Sequence, residues 1–394
     1  MGAGGGVVKA ALFAVVIVSG MEAAGFLGAC PKAPQPGEPL RDLTPEQLAS
    51  FNAGKAIFAK EFEPDEGLGP LFNAPACGEC HEEPVLGGHG DEDETHAAVA
   101  QPDGACDLLA AHGGPVFQAH TTPALKQALG LDSEPIPAEA TTRAIRTSPD
   151  VFGFGLLDAV PDDAILARAD SADRDHDGIS GRVNRFVDGR IGRFGRKALL
   201  PNLDEFNAGA FVIEMGVTNP GALVEETIGG KPIPAGVDPT PEPELSAEAL
   251  RSVQDFVRFL APPPQLPLTY EGEHGRQLFR SMGCISCHTP ALVTGPNKVR
   301  ALDRKVVNAY TDLLLHDMGT ERADICLGLA TPSEFRTEPL MGLRLATKFL
   351  HDGAATTIEQ AIELHAGEAQ RSRDYYMKAP AKEKEALLAF LKSL

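Results

Sequence analysis

Cys77-Gly78-Glu79-Cys80-His81 and, 207 residues further on, Cys284-Ile285-Ser286-Cys287-His288 decide how this chain is read. In Cys-x-x-Cys-His the two thiols add to the vinyl groups of a porphyrin, and the adjacent histidine is delivered to the iron as its proximal ligand. Both copies follow the same Gly-basic-x-aliphatic-Phe phrase, Gly54-Lys55-Ala56-Ile57-Phe58 and Gly275-Arg276-Gln277-Leu278-Phe279. The repetition of phrase and motif predicts two covalently bound c-type haems, held by Cys77, Cys80 and His81 and by Cys284, Cys287 and His288. Zinc or dithiol sites are the alternative, and they do not require a histidine directly after the second cysteine of both copies.

The remaining sequence is organised around these motifs. Thr44-Pro45-Glu46-Gln47 opens a helix that runs through Phe58, with Thr44 as cap and Gln47 reaching back to it. Helices are also predicted at 206–215, at 246–260 and at the C-terminus, the last two with the same apolar pattern. Each motif is thus bracketed by an opening and a closing helix, as in cytochrome c folds. The expected fold class is mainly α, with a first haem domain at 44–262 enlarged by a long insertion, the Pro-rich linker 261–267, and a second cytochrome c-like domain at 269–394.

At 394 residues the chain has room for two or three cores. Its net charge of −20 argues against nucleic acid as a partner and favours a redox protein or a small cation. Residues 1–30 read as an export signal, with Lys9 before an apolar run and Leu27-Gly28-Ala29-Cys30 resembling a lipoprotein cleavage box. Glu22 interrupts the run, and cleavage after Ala23 or Ala24 without lipidation is the alternative. Either version exports the chain to face the periplasm, and the first version anchors it to the membrane through Cys30, with 31–43 as an extended tether. Cys106 and Cys326 are then left over, as one disulfide or as two buried thiols.

Ligand choice on the far side of each iron separates an electron carrier from a catalyst. For the second haem, Ile358, Ala361, Ile362 and His365 share one helical stripe behind a capping box at Thr356 and Glu359, which makes His365 the candidate distal ligand. Met318, Met341, His316 and His351 are its rivals. For the first haem, Met215 lies on the stripe Ala208, Phe211, Val212, Met215; the alternatives are simple core packing or an open iron with His89 or His96 behind it. Residues 82–120 read as an acidic, histidine-bearing loop with His89, His96, His112 and His120. Asp173, Asp175 and Asp177 before Gly178 open like a calcium loop, although Asn184 occupies the position where an EF-hand carries glutamate. The basic run 190–197 is a candidate counter-charge for haem propionates.

These stretches together resemble a bacterial di-haem oxidoreductase family often labelled thiol oxidoreductases, distantly related to di-haem cytochrome c peroxidases and to the di-haem enzymes of methylamine dehydrogenase maturation. The resemblance covers 67–81, 148–160, 173–184, 191–198, 312–319, Phe335-Arg-Thr-Glu-Pro-Leu340 and the helix after His351-Asp352-Gly353. It implies an oxidoreductase whose second haem passes electrons to a first haem that reduces peroxide or another small oxidant. A plain electron-transfer module and a redox component of metal uptake are the other readings. In such relatives the residue fourteen after the histidine of His-Asp-Gly ligates the second iron, and that residue here is His365. They also hold calcium near the haems through a threonine and a proline carbonyl, which Thr337 and Pro339 resemble. Two features depart from the family. Tryptophan is absent, with Arg196 and Met341 standing where relatives often carry it, and the catalytic glutamate of the relatives has no secure counterpart, leaving Asp158 and Glu214 as candidates.

Overall fold

The computed structural model describes residues 1–2, 32–102 and 104–394. The export signal and Cys30 lie outside these residues. Pro34–Leu394 form one compact unit, and no helix among the described residues is long and apolar enough to cross a membrane.

The repeated phrase before each haem motif builds the same helix crossing twice. In the first, helix Pro45–Phe58 packs on helix Ala247–Phe259. A Cβ on Gly54 would sit 1.8 Å from the carbonyl oxygen of Ser252, so only glycine allows this approach. Phe51 and Phe58 close the contact, with ring centroids 5.1 and 5.0 Å from that of Phe256. In the second, helix Tyr270–Ser281 meets helix Ala381–Leu391, where a Cβ on Gly275 would come within 1.9 Å of the Ala386 carbonyl oxygen. Phe279 stands 5.3 Å from Phe390 across that crossing. The phenylalanine of each phrase also reaches the histidine of its motif, Phe58 at 5.9 Å from His81 and Phe279 at 6.3 Å from His288. Thr44 caps the first helix with Gln47 in a reciprocal box, an arrangement worth about 1 kcal/mol.

Outside these two cores the chain is largely not helical, so "mainly α" overstates its helix content. Strand Asp93–Ala100 lies inside the segment read as a loop, and pairs antiparallel with Thr142–Thr147, Cys106–Asp107 and Val116–Phe117. The strand was hidden because its buried centre is Ala97 and Ala98, residues without the branched or aromatic side chains that mark strands. Residues 34–43 do not run free as a tether: Leu40 N–H donates to the Phe259 carbonyl and Ala261 N–H to that of Glu38, which fastens the segment along the end of the closing helix. The linker is held at its other end by Leu266 N–H on the Ser393 carbonyl.

Cys106 and Cys326 form a disulfide with Cα atoms 5.7 Å apart. Beside it the buried Arg146 donates through Nε to Asp324 Oδ2 at 2.7 Å. Both links tie the inserted sheet to the C-terminal half.

Candidate haem sites

At each motif the backbone prepares the histidine in the same way. His81 Nδ1 lies 3.0 Å from the Gly88 carbonyl oxygen, and His288 Nδ1 lies 2.9 Å from that of Tyr310. A ring nitrogen bonded to a carbonyl carries the proton, which leaves Nε2 as a lone-pair donor suited to a metal. Burial pulls both imidazoles toward the neutral form that ligation requires, His288 to about 4. Burial also pushes the Cys77, Cys80 and Cys284 thiols up to about 12, so neither pair has the thiolate character of a working dithiol.

The second motif opens on a cavity of about 280 Å³. Cys284, Cys287 and His288 line it together with His365, and Phe279 and Leu391 supply apolar wall. His365 Nδ1 is bonded to the Ala361 carbonyl oxygen at 2.6 Å, so this ring also presents Nε2 as a donor. Helix Ile358–Glu363 stops two residues before His365, which sits in the turn that follows, and Ile358, Ala361 and Ile362 line the cavity with it. The cap is Thr357, bonded to Gln360 N–H, one residue later than the sequence pattern suggests. Two thiols, two carbonyl-anchored imidazoles, apolar walls and the cations Arg196 and Arg373 are residue types that would hold a c-type haem through Cys284, Cys287 and His288, with His365 as a further donor in the same cavity.

Among the rivals to His365, His316 has both ring nitrogens in use: Nε2 on Asp312 Oδ2 at 2.9 Å and Nδ1 on Glu368 Oε2 at 2.8 Å. Burial alone would depress it, but Asp312, Cys287 and Glu368 raise it to about 12 and make it a fixed imidazolium. Asp312, four residues before His316, was a signal available in the sequence; Glu368 was not. His351 lies face to face on Phe335 with centroids 3.9 Å apart. Met318 and Met341 line the cavity without further distinction.

The first motif differs. Met215 Sδ is 3.7 Å from Cys77 Sγ. This contact puts Met215 beside an attachment cysteine of the first motif, on the buried stripe of helix Leu203–Met215. Its neighbour Glu214 is the more informative side chain. Glu214 is half-buried, Asn73 Nδ2 donates to its Oε2 at 2.7 Å, and its carboxyl lies close enough to Cys77 and Cys80 to act on both. Burial pushes Glu214 well above the usual carboxylate range, with the neighbouring Glu94 carboxylate adding to the effect and Asn73 opposing it. Glu94 Oε2 is in turn 2.7 Å from Nε2 of the buried His96. The cluster was invisible in sequence because strand Asp93–Ala100 brings Glu94 and His96 to Glu214 across more than a hundred residues. His89 is engaged elsewhere, with Nε2 2.8 Å from Thr347 Oγ1. His112 Nε2 makes an exposed contact with Glu139, and His120 is exposed and stacks near Phe72.

Other sequence candidates separate. Asp158 does not line the cavity; its Oδ1 accepts the Leu203 N–H at 3.3 Å at the start of helix Leu203–Met215, and burial raises it to about 6 against Arg193 and Arg258. Of the basic run, Arg196 faces the cavity, whereas Arg190 pairs on the surface with Asp188 and Glu205, and Arg193 holds the carbonyls of Asp158 and Val160. Lys197 is buried on the carbonyls of Thr331, Pro332 and Glu334. Asp173, Asp175 and Asp177 offer carboxylate oxygens within 4.8 Å of one another in an exposed turn, and do not share the cavity wall that holds Thr337 and Pro339. The Thr337 carbonyl accepts the Thr311 hydroxyl at 2.6 Å. Asn184 is a buried brace, donating to the carbonyls of Lys197 and Leu327.

A cytochrome c551 peroxidase of Nitrosomonas europaea is 28% identical over 120 residues, 30% of this chain and 33% of that protein. Cytochrome-c peroxidase IdrP2 of Denitromonas iodatirespirans is 26% identical over 154 residues, 32% of this chain and 40% of that protein. The chain therefore matches well under half the length of either relative. The diheme peroxidase BthA of Burkholderia thailandensis aligns with 88% of this chain and 86% of its own at 15% identity and a TM-score of 0.40. Residues 138–394 match the profile of the family described as "Di-haem oxidoreductase, putative peroxidase", and the chain belongs to that family of proteins built around two c-type haems.

Proposed function

We propose that the protein is an exported, periplasm-facing di-haem oxidoreductase in which a redox partner exchanges electrons with the second haem and the first haem reduces a small oxidant of the peroxide class. Bound in these two sites, the haems supply one-electron steps at iron. What the chain supplies is an asymmetry, and this asymmetry carries the reading. The second site offers histidine from both sides, His288 and His365, which closes an iron to substrate and suits electron storage. The first motif supplies His81, with the half-buried carboxyl of Glu214 close to its attachment cysteines.

Reduction of hydrogen peroxide to two waters consumes two electrons and two protons. Glu214, held protonated by burial of its carboxyl and by Glu94, would deliver one of those protons, and the 2.7 Å hydrogen bond from Asn73 orients that carboxyl. Histidine rather than methionine on the second iron lowers its potential. Calcium at Asp173, Asp175 and Asp177, or at Thr337 and Pro339, and a lipid anchor on Cys30 belong to the same reading as structural supports.

Electron paramagnetic resonance of the oxidised holo-protein tests it: one high-spin and one low-spin ferric signal are expected. Two low-spin signals would turn the reading into an electron carrier. Glu214→Gln is expected to lower peroxide turnover by at least about 10²-fold with both haem spectra unchanged. Unchanged turnover would remove Glu214 from the chemistry.

A further inference from the structure

We infer that the two-stranded ladder Leu292–Val293 with Val306–Val307, and the loop 294–305 between its strands, form the docking face for the partner of the second haem, and that this partner is an electron-transfer protein with an acidic face. The inference rests on the second haem being the point of electron exchange.

Three observations converge on this hairpin. The first is its connection to the proximal ligand. It begins four residues after His288, and its second strand runs on within three residues to Tyr310, whose carbonyl accepts the His288 Nδ1 proton at 2.9 Å. Both strands therefore lead to the same imidazole, and an extended span of three or four residues is only about 10–14 Å.

The second observation is apolar exposure. Leu292 pairs with Val307 and both are buried, whereas the next register pair, Val293 with Val306, is 52% and 69% exposed. Two branched side chains face solvent side by side, the composition expected at the centre of a transient interface.

The third is charge. Lys298, Arg300, Arg304 and Lys305 fall within eight residues of a chain whose net charge is −20. Their acidic neighbours are few and their ion pairs exposed: Arg304 with Asp303 at 3.1 Å, and Lys305 and Arg300 with Asp42 at 3.5 and 4.0 Å. Such pairs hold little energy and leave the cations available to a partner. Arg300 and Arg304 are 83% and 66% exposed. The chain as a whole repels an acidic protein, so a local reversal of sign on this hairpin selects the docking orientation as well as the partner.

The transfer is a single electron between the second haem iron and the partner's redox centre, with no bond or proton exchanged. Plastocyanin, a copper protein with an acidic face, serves as the probe. Its oxidised form is mixed by stopped flow with the reduced holo-protein, beside the neutral oxidant benzoquinone, which needs no docking and reports that the second haem is loaded and reactive. In the triple variant Lys298→Glu, Arg300→Glu, Arg304→Glu the plastocyanin rate at low ionic strength is expected to fall at least about tenfold. Calorimetric Kd for zinc-substituted, redox-inert plastocyanin is expected to weaken by a similar factor.

Equal plastocyanin rates and Kd in both proteins would overturn the inference, as would no reaction of plastocyanin with the unmodified protein. Sedimentation showing a dimer that Val293→Asp dissociates would also overturn it, by assigning the face to a second copy of the chain. A protein that docks plastocyanin as described but passes no electrons to peroxide would sink the proposed function and leave the docking face standing.

Discussion

Reduction of the Cys106–Cys326 disulfide is expected to lower stability measurably without releasing either haem. The bridge spans 220 residues of sequence. In the chain-entropy treatment, closing a loop of that length removes about 5 kcal/mol of freedom from the unfolded chain, and measured disulfides deliver about 2–4 kcal/mol. For a compact unit of this size, with an unfolding entropy of about 2 cal/mol/K per residue, that corresponds to a fall of about 3–7 °C in Tm. The thioether bonds to haem are not reducible by phosphines, so the assay is calorimetry of the holo-protein with and without such a reductant, repeated on the double variant Cys106→Ser, Cys326→Ser. The loss is expected to concentrate in the inserted sheet, read as faster amide exchange in 93–147, because the Arg146–Asp324 pair then holds that sheet to residues 323–330 without the disulfide. An unchanged Tm in the double variant would refute the reasoning and mean that the ion pair and its surroundings suffice.

Arg146→Met strands the buried Asp324 carboxylate and is expected to cost about 3–5 kcal/mol, read from chemical denaturation. Burial raises Asp324, but Arg146 and the Ile325 N–H outweigh it and hold the carboxyl below its ordinary value; the pair therefore stabilises the fold above pH about 4 and loses that contribution as pH falls through the depressed value, which acid titration of Tm in the wild type, but not in Arg146→Met, is expected to show. His316 is raised to about 12, so its contribution is complete below its unfolded value near 6.5 and fades only at strongly alkaline pH. His316→Gln, which leaves Asp312 and Glu368 unbalanced three residues from His365, is expected to destabilise the fold and to change the low-spin resonance of the second haem; an unaltered signal would separate the cluster from ligand positioning. His365→Ala is expected to convert that signal to high-spin, checked in the same spectrum.

Covalent chemistry made the two haem motifs legible, because thioether attachment and proximal ligation fix residue type and order within five positions. The Gly-x-x-x-Phe phrase was legible for a related reason: Gly54 and Gly275 must vanish under a crossing backbone, and Phe58 and Phe279 must reach both the closing helix and the motif histidine. The same local logic picked out the stripe ending at His365. It failed where function depends on contacts far apart in sequence. Glu214 gains its character from Glu94, on a strand whose core of Ala97 and Ala98 resembles no strand by propensity. His316 is locked by Glu368, 52 residues away, and Lys197 by carbonyls more than 130 residues away. For Met215 the helical stripe is real and buried, but a stripe by itself does not say what the sulfur meets.

The segment 147–150 shows how the two sites are joined in a chain without tryptophan. Thr147 N–H donates to the His351 carbonyl, and the Thr147 carbonyl accepts Arg196. The Pro149 backbone lies beside His81, whose Nδ1 is held by the Gly88 carbonyl, and Pro149 also lines the cavity that holds His288 and His365. One stretch of backbone therefore touches the first proximal imidazole and the wall of the second site. Around it Arg196 and Arg336 share Glu338, at 3.1 and 2.8 Å, and Asp150 is driven up to about 7 by burial and by Glu338, against the pull of those arginines. With Asp150 ionised, these two arginines and two carboxylates sum to zero, and protonation of Asp150 below neutral pH leaves the cluster with one positive charge beside the wall of the second site.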